Sequence, residues 1–90
     1  MSSPKFATGQ IVATPNALSQ LSQEDILSGL ARHINGNWGD LTSDDRQEND
    51  LALERGSRLL SAYQATNGTK FWIITEGDRT VTTVLLPEDY

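Results

Sequence analysis

Three groups of side chains in this 90-residue chain could take part in chemistry: its single histidine, a set of closely spaced acids and a tryptophan in a polar segment. His33 could act as a general base beside a serine or carboxylate, because imidazole exchanges a proton near neutral pH. The alternative, which we favour, is a surface histidine at a helix end, where the helix dipole suits its charged form. No nucleophile elbow, phosphate-binding loop or paired-histidine metal motif accompanies it. The sequence therefore predicts no catalytic residue and no enzyme.

The acids Asp40, Asp44, Asp45 and Glu48 raise the question of a metal site. On one continuous helix, positions 40, 44 and 48 would share a face, and carboxylates so arranged can hold Mg²⁺ or Ca²⁺. However, this segment lacks the alternating Asp or Asn ligands and the central glycine of an EF-hand. Asp44 and Asp45 also suit the first turn of a helix, where they favour the positive end of the dipole. We therefore predict a solvated acidic helix, with no metal and no cofactor.

The charge distribution indicates a basic partner. The chain has seven Lys and Arg against twelve Asp and Glu, a net charge of −5. The negative charge is concentrated between Glu24 and Glu54, a segment that contains eight acids and only two basic residues, Arg32 and Arg46. So few and scattered basic residues exclude direct nucleic-acid binding, which requires clustered Lys and Arg. An acidic surface would steer toward a basic protein surface, or it would only keep the domain soluble. The acids we assign to partner binding are Asp40, Asp44, Asp45, Glu48 and Asp50.

Trp38 lies between Asn37 and Gly39 in a polar linker. A tryptophan in this setting either covers the core or forms an exposed anchor of the kind enriched at protein interfaces. The neighbouring Leu41 also needs cover, which favours the first interpretation. In the binding hypothesis, Trp38 supplies the hydrophobic anchor beside the acids.

The first half of the chain must position these residues. A β-branched run over residues 10–14 predicts a strand, and residues 16–21 predict a short turn or helix with Asn16 as its cap. Ser22 and Asp25 resemble a capping box at the start of a second helix, which ends at Asn35-Gly36. Its apolar stripe consists of Ile26, Leu27, Leu30, Ala31 and Ile34. A third helix is expected from Thr42 or Ser43 to Arg55.

The second half predicts a β-meander. Residues 59–65 and 70–75 flank Asn67-Gly68, which favours a two-residue type I′ hairpin with Tyr63 opposite Trp72. A further strand over residues 80–86 would place Val84 beside Phe71. The predicted fold is α+β: a three- to four-stranded antiparallel sheet packed against two to three helices. We expect a single domain over residues 1–90, with residues 1–9 forming a flexible N-terminus.

The composition indicates a cytoplasmic protein. The chain contains no cysteine, which excludes disulfide scaffolds and thiolate metal sites. Its N-terminus does not resemble a secretory signal, and no apolar run is long enough for a membrane span.

Several segments distributed over almost the whole chain form one further pattern. They are Gly9–Pro15 with Ala17-Leu18, Trp38–Leu41, Asp45-Arg46 with Glu48-Asn49, Leu60–Tyr63, Gly68–Glu76, and Asp78-Arg79 through Pro87–Tyr90. Together they resemble a family of short, functionally unassigned proteins carried on bacterial plasmids and other mobile elements. The resemblance implies a setting in which small acidic proteins inhibit host defence by occupying nucleic-acid sites on restriction or CRISPR complexes.

The leading hypothesis is therefore a non-enzymatic acidic binding module, an anti-CRISPR or anti-restriction inhibitor that occupies a basic site on its target. One alternative is a small enzyme that uses His33 and the acidic cluster, with or without a metal. A second is a structural or regulatory homodimer that pairs strand edges or sheet faces.

Overall fold

The fold is described from a computed structural model that covers residues 4–90. Its elements are β1 (Gln10–Ala13), α1 (Pro15–Gln20), α2 (Gln23–Ile34), α3 (Ser43–Arg55), β2 (Leu59–Gln64), β3 (Lys70–Thr75), β4 (Val81–Leu85) and a short 3₁₀ helix at Pro87–Asp89. The predicted α+β class, with four strands and three α-helices among these residues, is confirmed. None of the helices in this range combines the length and the hydrophobicity needed to cross a membrane.

The helix boundaries follow from capping. Ser22 and Thr42 each accept a hydrogen bond from the backbone N–H three residues later, so α2 and α3 begin where the sequence predicts. Gly56 ends α3 in the left-handed conformation, with φ of 72°. The prediction of Asn16 as the cap of α1 is wrong. Thr14 is the cap, and Pro15 occupies the first helical position, where its missing N–H costs no hydrogen bond.

The sheet is mixed, with strand order β1-β4-β3-β2. The three C-terminal strands form the predicted antiparallel meander, whereas β1 pairs in parallel with β4. Parallel neighbours need a long crossover, which the three helices and the two intervening strands supply. The two edges of the sheet are therefore β1 and β2.

The predicted register of the first hairpin is wrong by one residue. Tyr63 lies opposite Phe71 and Ala62 opposite Trp72, because the loop has three residues instead of two. Gly68 donates to the carbonyl of Ala65 at 2.9 Å and has φ of 89°, which is a turn closed by a glycine bulge. A one-residue change moves cross-strand partners to the other face of the sheet. Trp72 is thus on the face opposite to Tyr63.

The last strand is shifted by two residues from its predicted partners. Val84 lies opposite Ile73 instead of Phe71. The loop between β3 and β4 includes Arg79, whose φ of 62° is unusual for a residue with a side chain. A shift of two residues preserves the face on which each side chain lies, so Val84 still lies on the same face as Phe71, where it is buried.

The helix α2 packs on the sheet with only part of its predicted apolar stripe, of which Ile26 and Leu30 lie against the core. Gly29 and His33 are buried, whereas Leu27 on the predicted stripe is 57% exposed. A Cβ at Gly29 would lie 2.9 Å from the Phe71 ring, so the glycine allows a close helix-to-sheet approach. Part of the apolar surface of α2 therefore faces outward.

The N-terminal segment packs on the domain from Lys5 to Thr8. The Lys5 N–H donates to the carbonyl of Ile34 at 2.8 Å, and Thr82 donates to the carbonyl of Thr8 at 2.8 Å. Phe6 is half-buried. These contacts hold residues 5–8 against the domain, so the prediction of a flexible terminus over residues 1–9 is wrong for this part. Residues 1–3 lie outside the described residues.

Candidate functional site

The linker between α2 and α3 closes one edge of the sheet. The Asp40 N–H donates to the carbonyl of Ala62 at 2.7 Å, and the Ala62 N–H donates to the carbonyl of Trp38 at 3.1 Å. Between them Gly39 has φ of 77°, and a Cβ there would lie 2.0 Å from the Ala62 oxygen. Only glycine fits this approach. The linker thereby covers the outward-facing backbone of β2 at Ala62.

Two side chains of α3 hold the helix against the same edge. The Asn49 amide donates to the carbonyl of Leu60 at 2.6 Å and accepts from the Leu60 N–H at 3.1 Å. The Arg46 guanidinium donates to the carbonyl of Gly39 at 2.8 Å. Arg46 keeps its positive charge but forms no ion pair with the acids around it among residues 4–90. The helix therefore has a fixed position and a negatively charged outer surface.

Four of the predicted partner-binding acids are free: Asp40, Asp44, Asp45 and Glu48 are exposed, and their carboxylates have no hydrogen-bond or ion-pair partner among residues 4–90. We call these four residues the acidic row. The fifth, Asp50, differs because its carboxylate accepts from the Trp38 indole N–H at 3.0 Å. Asp50 therefore helps to position Trp38 in addition to adding charge.

Part of the acidic row borders a cleft of about 700 Å³ on the face of the sheet away from α2. Asp40 and Asp45 lie on one side of this cleft, and the half-buried Trp72 contributes an aromatic surface to its lining. Leu41 and Leu60 add apolar surface, and Lys70 contributes one positive charge. Carboxylates beside an aromatic ring suit an arginine or lysine side chain, which can pair with the acids and stack on the ring.

Trp38 is not an exposed anchor, and this part of the binding hypothesis is wrong. Its side chain is 4% exposed and packs with Ala52 and Leu59, with Phe6 stacked at a ring-centroid distance of 6.2 Å. The interpretation as a lid over the core is the one the structure supports. Burial of the large ring beside an otherwise polar helix explains how α3 is anchored despite its few apolar residues.

His33 is not on the surface, so its interpretation as a surface histidine at a helix end is wrong. The ring is fully buried, with Nδ1 2.5 Å from Ser61 Oγ and Nε2 2.8 Å from Thr75 Oγ1. Thr75 Oγ1 lies 2.8 Å from Thr82 Oγ1, which donates to the Thr8 carbonyl. A carbonyl only accepts, so the direction of the chain is set: Thr75 donates to Thr82, and His33 Nε2–H donates to Thr75. Nδ1 then accepts from Ser61.

This serine–histidine pair has the contacts of a nucleophile and its base, but it has no opening to solvent. Ser61 and His33 both have no exposed surface, and the rings of Phe6 and Trp38 pack edge-on against the imidazole at centroid distances of 5.2 and 5.7 Å. Burial, with the nearby charge of Arg79, lowers the pKa of His33 to about 4. The ring is therefore neutral at pH 7 and joins α2 to β2 through Ser61 and to β3 through Thr75.

The acidic row and His33 do not lie together in one site. Among residues 4–90, no group of three or more histidine, aspartate or glutamate side chains is arranged to hold a metal ion. His33 lies in the interior, whereas the acidic row is on the surface of the linker and α3. The residues named for the alternative of a metal-dependent enzyme therefore do not form one site.

Comparisons of the chain with protein-family models, with curated proteins and with solved structures found no match. The resemblance to a family of mobile-element proteins stays a prediction, and no residue role is transferred from a relative.

Sequence reasoning missed Trp72 as part of the cleft and Ser61, Thr75 and Thr82 as partners of His33. A signal for the second group was present: each of the three strands carries one polar residue on the face that otherwise carries Leu59, Phe71 and Val84. Buried polar side chains require hydrogen-bond partners, and the single histidine of the sequence could be such a partner.

Proposed function

We propose that this protein is a non-enzymatic binding module whose acidic row and adjoining cleft occupy a basic site on another protein. The observation that carries the proposal is the set of exposed carboxylates without partners on a helix that is firmly attached to the sheet. The rigid scaffold reduces the ordering cost of binding, and the free carboxylates retain their charge for a partner.

The geometry suits a site that normally binds nucleic acid. Asp44 and Glu48 lie four residues apart on α3, about 6 Å along the helix axis, so their carboxylates form a row of negative charges, as the phosphates of a nucleic-acid strand do. A basic surface that recognises phosphates would accept such carboxylates. In line with the resemblance, the proposed target is a restriction or CRISPR complex of a bacterial cytoplasm, and the proposed role is inhibition.

The first test reverses charge while controlling for net charge. A variant carrying Asp40→Lys, Asp45→Lys and Glu48→Lys should bind its partner roughly tenfold or more weakly at low salt, because each change replaces attraction by repulsion. A matched variant with Glu24→Lys, Glu76→Lys and Glu88→Lys changes the net charge equally, and its lysine at position 24 also lies in the first turn of a helix. It should retain binding.

The measurement is a pull-down from bacterial lysate at low and high salt, followed by titration with the captured protein. Equal binding by both variants would exclude the acidic row. A nucleic-acid duplex added as competitor should release the captured protein. If capture depends on the acidic row but the duplex has no effect, the partner is basic but its binding site is not a nucleic-acid site.

Expression of the chain should also raise the efficiency of transformation with unmodified plasmid in a restricting host.

A further inference from the structure

The second surface feature of the molecule is an apolar groove at the other edge of the sheet. It has a volume of about 630 Å³ and lies between β1 and the helices α1 and α2. Ile11, Leu18 and Leu27 are among its lining residues and are 50%, 62% and 57% exposed. Exposed apolar side chains that cluster in this way are typical of an interaction surface.

The edge strand beside this groove has unpaired backbone groups. Gln10 N–H donates to the carbonyl of Thr80, and Thr14 N–H donates to the carbonyl of Val84, so the even-numbered residues of β1 face β4. The N–H and C=O groups of Ile11 and Ala13 therefore point away from the sheet. They have no hydrogen-bond partner among residues 4–90. The opposite edge, by contrast, is covered by the linker and Asn49.

The distribution of charge determines which occupant this edge suits. No residue from Phe6 to Gln23 is charged, and none of the residues that line the groove is charged. The acidic row lies beside β2, about 14 Å away across the sheet at the usual strand spacing. Two copies that meet at β1 therefore keep their acidic surfaces at the far ends, although each copy carries a charge of −5. A charged partner would gain no ion pair here.

We propose that the β1 edge and its apolar groove form a homodimer interface, in which the β1 strands of two copies pair antiparallel about a two-fold axis at Val12. Ile11 of one copy lies opposite Ala13 of the second copy, and this register satisfies all four unpaired backbone groups on each side. Directly opposed residues share a face, so the helices of both copies lie on the same side of a continuous eight-stranded sheet. The two grooves then adjoin, and Ile11 is covered. This dimer depends on residues other than the acidic row.

The test compares two lysine substitutions on opposite edge strands. Wild type should sediment at twice the 9.9 kDa chain mass at tens of micromolar, and Ile11→Lys should sediment as a single chain. Gln64→Lys adds the same charge at an exposed position of β2 and should remain a dimer. Circular dichroism of each variant checks that it is folded.

Hydrogen exchange gives a second measurement at the same residues. The amides of Ile11 and Ala13 should be protected in wild type and should exchange rapidly in Ile11→Lys, because only the second copy covers them. A wild type that stays monomeric at tens of micromolar would overturn the proposal. The β1 edge would then be open to pairing with a strand of a different protein. A dimer that survives Ile11→Lys with these amides unprotected would place the interface elsewhere.

Discussion

Replacement of Trp38 by alanine should lower the free energy of unfolding by about 3–5 kcal/mol, the usual loss for a buried tryptophan cut back to a methyl group. The indole is 4% exposed and fills the space between Ala52, Leu59 and Phe6. Its removal would leave a cavity under the linker and would remove the indole N–H that donates to Asp50. For a domain of this length the total stability is roughly 5–13 kcal/mol, so the loss is a large part of it.

Urea unfolding followed by circular dichroism measures this loss. Trp38→Phe keeps most of the apolar contact and should lose less than Trp38→Ala, and it provides a folded variant if alanine is not tolerated. Asp50→Asn retains an acceptor for the indole N–H and should change the stability by no more than about 1 kcal/mol. An alanine variant as stable as wild type would mean that Trp38 does not contribute to the core.

Acidification from pH 6.5 to pH 4 should destabilise the folded protein by about 3 kcal/mol through His33. Burial lowers the pKa of this ring from 6.5 to about 4 in the folded state, and each pKa unit corresponds to about 1.4 kcal/mol. The unfolded chain therefore binds the proton first as the pH falls. The stabilisation is complete above pH 6.5, decreases through this window and levels off below pH 4. The hydrogen bonds themselves do not prevent protonation, since the Ser61 hydroxyl can reorient and accept.

The three aspartates with lowered pKa values titrate outside this window. Hydrogen bonds from Ser22, Thr80 and Thr14 lower the pKa values of Asp25, Asp78 and Asp89 below 3.8, so their contributions are lost only at lower pH. Unfolding free energies measured against pH should slope between pH 4 and 6.5 in wild type and be nearly flat in His33→Gln, whatever the stability of that variant at pH 7. NMR titration of the His33 ring in wild type is the second measurement. A ring that titrates near 6.5 would contradict the buried, neutral state.

Local signals were sufficient for most of the secondary structure. Capping residues such as Ser22, Thr42 and Gly56 act within one turn of backbone, so the ends of α2 and α3 could be read from neighbouring residues. The position of the hairpin was predicted from Asn67-Gly68, but its register was not, because the same dipeptide closes loops of two or three residues. That single residue places Trp72 beside the acidic row instead of opposite Tyr63.

The sequence by itself determined the α+β class, the ends of α2 and α3 and the concentration of acids in the middle of the chain. The tertiary structure alone decided that Trp38 and His33 are buried, that β1 joins the sheet in parallel, and that the acidic and apolar surfaces lie at opposite edges. Each of these depends on partners far along the chain, such as Ser61 and Thr75, which lie 28 and 42 residues beyond His33. Periodicity and capping report only the energetics of neighbouring residues, whereas burial depends on which distant groups can satisfy a side chain.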